Sequence, residues 1–240
     1  MRKLVTALIL LTLSSSALAQ EAKPIPSYFR IDQDYLLGTQ LWAGATYPLS
    51  SKVGLATGVF IVENSPSVTT DAAGGSRMKN SWYGEFDLGP SLTLGPVSLT
   101  PMAGIGFDWA DRRAVALNVP QLYTIVSFHK IYFESWVWTL LFSPFKNPIA
   151  SDYIHTRDWV LYKLNDTIGI GPQIEYTYNM NTRGSGTKGT VGMPLGAHIE
   201  LAFGAGNSLG LFAGYELMKA VRNAAGGNAA EGRITFVHNF

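Results

Sequence analysis

The acids of this chain stand in an uncommon setting. Glu85, Asp87, Asp108, Glu175, Glu200 and Glu216 occur singly among glycine, alanine, serine and threonine, at positions that alternate with bulky apolar residues. Gln173 and His198 fall on the same small-residue faces, Glu134 sits within an aromatic run, and Arg233 alternates with Ile234 and Phe236. An ionised group facing an enclosed interior must be solvated by water there or paired with an opposite charge. Arg30, Arg157, Lys163 and Arg233 are the available partners. Two readings follow: a polar constriction whose charges select small solutes, or a buried network that fills a closed interior. Trp136 and Trp138 share a face with Glu134. Turned inward they narrow the interior or offer a platform for a sugar or other ring; turned outward they belong to an interfacial aromatic belt.

Such faces require strands, because a β-strand sends successive side chains to opposite sides. The clearest covers 97–109, with Val97, Leu99, Pro101, Ala103, Ile105, Phe107 and Trp109 opposite Ser98, Thr100, Met102, Gly104, Gly106 and Asp108. Segments 167–178 and 191–203 repeat the pattern, and 37–47, 52–63, 79–88, 120–129, 131–142, 153–164 and 208–219 are further candidates. Most run well past the usual 5–6 residues of a soluble strand and match the ~9–11 that a tilted membrane strand needs. A soluble barrel shows water a face rich in lysine and glutamate and fills its inside with large side chains. Inverting the faces, apolar toward lipid and small or polar toward a lumen, accounts for the pattern.

The bulk composition agrees. The 240 residues are 47% hydrophobic and 15% charged, with 25 glycines and 12% aromatics; a soluble domain carries about 25% charged residues. The formal net charge of +1 makes no electrostatic case for a nucleic-acid partner. The absence of cysteine excludes a disulfide framework, thiolate zinc sites and anchoring through a lipidated N-terminal cysteine. Residues 1–19 read as a secretory signal peptide: Arg2 and Lys3, an apolar run over 4–13, and Ala17-Leu18-Ala19 before Gln20. Residues 20–240 then form one domain.

Connections alternate in length. Short ones fall at 48–51, 89–96, 129–130, 165–166 and 204–207; long ones at 64–78, 110–119, 143–152, 179–190 and 220–230. Membrane barrels have short periplasmic turns and longer outer loops, so the long set is expected outside the cell. That topology demands an earlier strand at roughly 25–33, where Phe29 and Ile31 alternate with Arg30 and Asp32. With it the expected fold is all-β, a transmembrane antiparallel barrel of about twelve strands, with ten as the alternative. Tyr47, Trp82, Trp109, Tyr176, Tyr178, Phe203, Tyr215 and Phe240 fall near strand ends on the outward face, as interfacial girdles do.

The last strand, 232–240, places Ile234, Phe236, His238 and Phe240 on one face and stops on phenylalanine. Together with the signal peptide and alternating strands, it resembles the outer-membrane β-barrel proteins of Gram-negative bacteria, whose final strand commonly ends in phenylalanine. The segment departs from that pattern at His238 and Thr235. The resemblance implies an outer-membrane location, contact with outer-membrane lipid, and recognition by the barrel assembly machinery through Phe240. His238 is the misfit, tolerable facing lipid only if neutral or reaching the interface.

The expected function is a passive pore or channel for small solutes. The alternative is a closed structural or surface-interaction barrel acting through its outer loops; a lipid-modifying barrel enzyme is a third class. Ser127 and His129 lie two apart, as a nucleophile and base require, but outer-membrane lipid hydrolases that use such a pair place histidine first, and no acid partner is evident. No catalytic residue is assigned. His198 with Glu200 and Glu175 suggests metal ligation, but polar residues two apart are routine on a lumen face, so no metal or cofactor is assigned. The glycine-rich 184–189 lacks the strand-then-helix context of a phosphate loop and reads as an outer loop.

Overall fold

The computed structural model describes residues 25–34, 38–70, 76–109, 112–145, 151–181, 188–224, 227 and 229–240, with side chains at 34, 63–81 and 224 left aside. The expected signal segment lies outside these residues, as does most of the glycine-rich loop at 184–189. Thirteen strands form one sheet. They are β1 Ser27–Asp34, β2 Gly38–Pro48, β3 Val53–Thr70, β4 Ser76–Leu94, β5 Val97–Asp108, β6 Arg113–Phe128 and β7 Ile131–Leu141. Then follow β8 Tyr153–Lys163, β9 Ile168–Asn179, β10 Gly189–Gly192, β11 Pro194–Ala202, β12 Asn207–Glu216 and β13 Ala230–Asn239. A short helix, α1 Lys219–Ala224, lies between β12 and β13.

Every pairing is antiparallel, and pairing of β8 with β9 and of β13 with β1 closes the sheet. Strand β10 pairs only with the far end of β9, beyond β11; the two are one strand of the ring interrupted at Met193. The ring therefore has twelve members. The closure fits the lipid phase, where a free edge would leave backbone N–H and C=O groups without partners. Phe240 N donates to Ser27 O at 2.9 Å, so the last residue pairs beside the first strand.

The two faces sort as alternation requires. Leu88, Ile105, Tyr162, Leu195, Leu211 and Ile234 are exposed on the outside, while the buried residues, polar ones included, point into the lumen. The outward aromatics form two belts: Tyr47, Phe203 and Phe240 near the short turns, and Trp82, Trp109 and Tyr215 near the long connections, all exposed. Tyr176 and Tyr178, half-buried, stack with ring centroids 6.4 Å apart at the latter end. His238 also faces outward, but its Nδ1 lies 2.8 Å from Asn207 Oδ1 and its ring meets Phe240 edge-on. Its polar atom is served by the adjoining turn, which resolves the misfit.

Three expected boundaries are corrected. The connection expected over 64–78 is mostly strand, since β3 and β4 run on as a paired ladder to Thr70 and from Ser76. The link expected over 89–96 shrinks to a turn at Gly95-Pro96, with Gly95 at φ 62°. The loop expected over 110–119 is largely β6, which starts at Arg113. Pro120 looks like a strand start because it has no N–H to donate. The chain accommodates it with a bulge: the register slips between Asn118 and Gln121 against β7, and both residues face inward.

Glycines on the inner face leave room for large lumen groups. A Cβ on Gly104 would lie 1.9 Å from Asp87 Oδ1, and one on Gly106 would lie 2.1 Å from the Tyr83 hydroxyl.

Candidate functional site

The lumen is layered. Toward the strand ends that carry the long connections, Trp42, Phe60, Val62, Tyr83, Trp136, Trp138 and Leu140 form an apolar core inside the barrel. Trp42 stacks on Phe60 with centroids 3.9 Å apart, and Trp136 meets it edge-on at 4.4 Å; such pairs contribute about 1 kcal/mol each beyond area burial. Both tryptophans expected at 136 and 138 thus point inward and narrow the lumen, the first of the two orientations open from the sequence.

Beside this core lies a charged layer. Arg30 Nε contacts both oxygens of Asp32 at 3.0 Å, and Arg30 Nη1 lies 3.5 Å from Glu134. Arg157 bridges Asp32 at 3.4 Å and Glu175 at 3.3 Å. Arg233 grips Glu175 through both terminal nitrogens, the Nη2–Oε2 contact being 3.1 Å. Thr235 donates to Asp32, Gln173 Nε2 to Glu175 at 2.6 Å, and Tyr132 to Glu134. Three arginines therefore face three carboxylates, all nearly excluded from solvent. The register explains the meeting: Trp136 pairs with Arg157, Arg157 with Glu175, and Thr235 with Asp32 across successive strands. Charges so enclosed are tolerable because each carboxylate has a base and further donors.

A second carboxylate group differs. Glu85 accepts from Tyr83 at 2.6 Å and from Asn118 Nδ2 at 2.9 Å, while Asn118 also reaches Asp87 at 3.4 Å. Among the described residues no arginine, lysine or histidine lies within ion-pair distance of this pair.

Toward the short-turn end the lumen opens into a chamber of about 340 Å³. Its walls include Tyr28, Tyr123, Tyr132, Trp136, Trp159 and His198, with Arg30, Glu134 and Glu200 among them. Trp159 and His198 are stacked, 17° from parallel. A second cavity of about 20 Å³, bounded by Trp42, Asp87, Gln121 and Trp138 among others, shares Tyr28, Tyr123 and Trp136 with the chamber. The smaller space has the size of about one water.

Each sequence candidate has a definite place. Glu134, Glu175, Gln173 and Arg233 belong to the charged layer or touch it, and His198 Nδ1 lies 2.5 Å from Gln173 Oε1. Glu200 is on the chamber wall. Glu85 and Asp87 form the base-free pair. Asp108 stands at the long-connection rim opposite Arg113, away from the others. Glu216 serves the backbone: its carboxylate accepts from Met193 N at 3.0 and 3.1 Å and from Met218 N at 2.6 Å, mending the break between β10 and β11. Lys163 makes no described ion pair and lies 5.5 Å above the Tyr132 ring.

Residues not named from the sequence as lumen candidates complete the site: Asp32, Tyr28, Tyr123, Asn118, Trp42 and Trp159. Asp32 and Arg30 both lie on the first strand on opposite sides of Ile31, so placing that strand inside a closed barrel was the available signal. His155, Arg157 and Trp159 alternate along β8 in the same way.

Ser127 and His129 are not one strand face. Strand β6 ends at Phe128, and His129 occupies the turn at φ 51° with its ring against Phe128. No described hydrogen bond joins the two residues. Among the described residues, no cluster of three or more His, Cys, Asp or Glu could hold a metal ion.

No protein-family model matches the chain, and no curated protein matches it in sequence. In fold it is similar to the KdgM porin, with a TM-score of 0.52 at 9% identity over 90% of this chain and 99% of that one. The same porin in complex with disordered oligogalacturonate gives 0.51 at 9% identity, over 90% and 99%. A structure from work on the in-meso crystallization of membrane proteins gives 0.55 at 9% identity, over 90% and 83%. The chain has the fold of outer-membrane β-barrels, a fold that porins share.

Proposed function

We propose that this protein is a constricted outer-membrane channel for small solutes, entered through the chamber at the short-turn end. The observation that carries the reading is the wall between the two cavities. Tyr28, Tyr123 and Trp136 border both, so the lumen is divided there by side-chain rings and not by backbone. Rings can change rotamer, whereas a ladder of strands cannot move aside without losing hydrogen bonds. The charged layer lines the same route, where fixed charges tune selectivity.

The layout also supports export to the outer membrane with the short turns facing the periplasm. The ring of Phe240, at 71% exposure, is available at that rim to the assembly machinery. No catalytic residue is assigned.

Single-channel recording in planar bilayers tests the proposal. The wild type is expected to conduct weakly, and Tyr123→Ala combined with Trp136→Ala to conduct more. Silence of both proteins at every voltage would overturn the channel and leave the second reading, a closed barrel acting through its outer loops. The packing of Trp42, Phe60, Trp136 and Trp138 across the lumen is the observation that favours that alternative.

A further inference from the structure

We infer that the 340 Å³ chamber is a binding site for a small saccharide, and that Glu200 excludes acidic ones. The inference deepens the channel reading by naming its solute class, and it rests on that reading only for the route by which a solute arrives.

Volume sets the scale. Small-molecule sites occupy about 300–1,000 Å³, so the chamber admits a mono- or disaccharide but not a longer chain. Its walls carry the right surfaces: Tyr28, Tyr123, Tyr132 and Trp159 present rings around it, and aromatic rings suit the apolar C–H face of a pyranose while polar groups between them serve its hydroxyls.

Charge then decides between kinds of sugar. Arg30 is the chamber's cation, and its guanidinium is held by Asp32 at 3.0 Å and Glu134 at 3.5 Å, so little of it remains for an anionic ligand. Glu200 has no base within ion-pair distance among the described residues. An incoming carboxylate meets Glu200, which Arg30 and Lys163 influence only from beyond ion-pair distance, in a weakly screened space where like charges repel. A neutral sugar meets only hydrogen-bond acceptors and donors.

Isothermal titration of the refolded, detergent-solubilised full barrel with glucose, glucuronate and glucosamine tests this. Glucose is expected to bind saturably, on the order of a millimolar for so small a contact, with glucuronate at least about tenfold weaker. Glu200→Gln should raise glucuronate affinity to within about twofold of that variant's affinity for glucose. Trp159→Ala removes a ring of the chamber wall and should weaken glucose about tenfold; a heat-induced gel-mobility shift like that of the wild type verifies that each variant is folded. No saturable glucose heat, equal affinity for glucose and glucuronate, or weaker binding of cationic glucosamine than of glucose would each overturn the inference. Conductance is read separately: a silent barrel that binds glucose removes the channel and keeps the site, and a conducting barrel that binds none does the reverse.

Discussion

Two groups of lumen carboxylates occupy the same barrel under opposite electrostatics. Asp32, Glu134 and Glu175 each lie within ion-pair distance of an arginine and accept at least one further hydrogen bond. Glu85 and Asp87, two apart on β4, share the amide of Asn118 and have no described base. Both groups are buried to a similar degree. The difference lies in which strands meet. Around Asp32 and Glu175, β1, β8, β9 and β13 each bring an inward cation or donor to a common level. Opposite Glu85 and Asp87, β3 brings Phe60 and Gly58, and β5 brings Gly106 and Gly104. Burial by itself therefore does not make a lumen acid a selectivity element. The first group is cross-bracing, and the second is a pair of neighbouring carboxyls with no described base beside the small cavity, which Asp87 borders.

Four substitutions break or sharpen this contrast. Arg157→Met should have the largest effect. It strips a cation from both Asp32 and Glu175, and removing one partner of a buried network costs about 3–5 kcal/mol. Urea unfolding of the barrel in lipid measures the loss; less than about 1 kcal/mol would mean that Arg30 and Arg233 satisfy both acids without it. Gly104→Ala should follow, at about 1–3 kcal/mol, because the added Cβ would collide with Asp87 Oδ1 and approach Phe86 O to 2.8 Å.

The third substitution has the opposite sign. Glu85→Gln keeps an acceptor for Tyr83 and removes one of two neighbouring buried acids that have no described base, so the unfolding free energy should rise by about 1 kcal/mol. A fall of that size would show that the pair is already compensated. The smallest change belongs outside the lumen: His238→Phe should alter stability by no more than about 0.5–1 kcal/mol, as the hydrogen bond to Asn207 is exchanged for lipid-facing apolar area. A cost several times larger would mean that the rim depends on that bond.

The sequence by itself determined the barrel. Alternation assigns faces residue by residue, and strand length, low charge and closing strand pattern point to lipid outside; even the first strand, with only eight residues, could be demanded from topology. It also nominated the inward acids, because a carboxylate among glycine and serine opposite a row of leucine and isoleucine has only one face to occupy. Local boundaries were less legible where backbone chemistry overrides pattern: Pro120 hides a bulge, and Met193 hides a break that Glu216 caps from another strand.

What only the tertiary structure decided was partnership. Arg157 and Asp32 are 125 residues apart, and Thr235 and Asp32 are 203 apart. Their contact depends on the stagger accumulated around the ring and on closure of β13 against β1. Period-two alternation says that a side chain points inward; it carries no information about its height in the lumen or about what arrives there from the opposite wall. For that reason Glu175 and Glu85 look alike in the sequence, and one is gripped by two arginines while the other faces an acid.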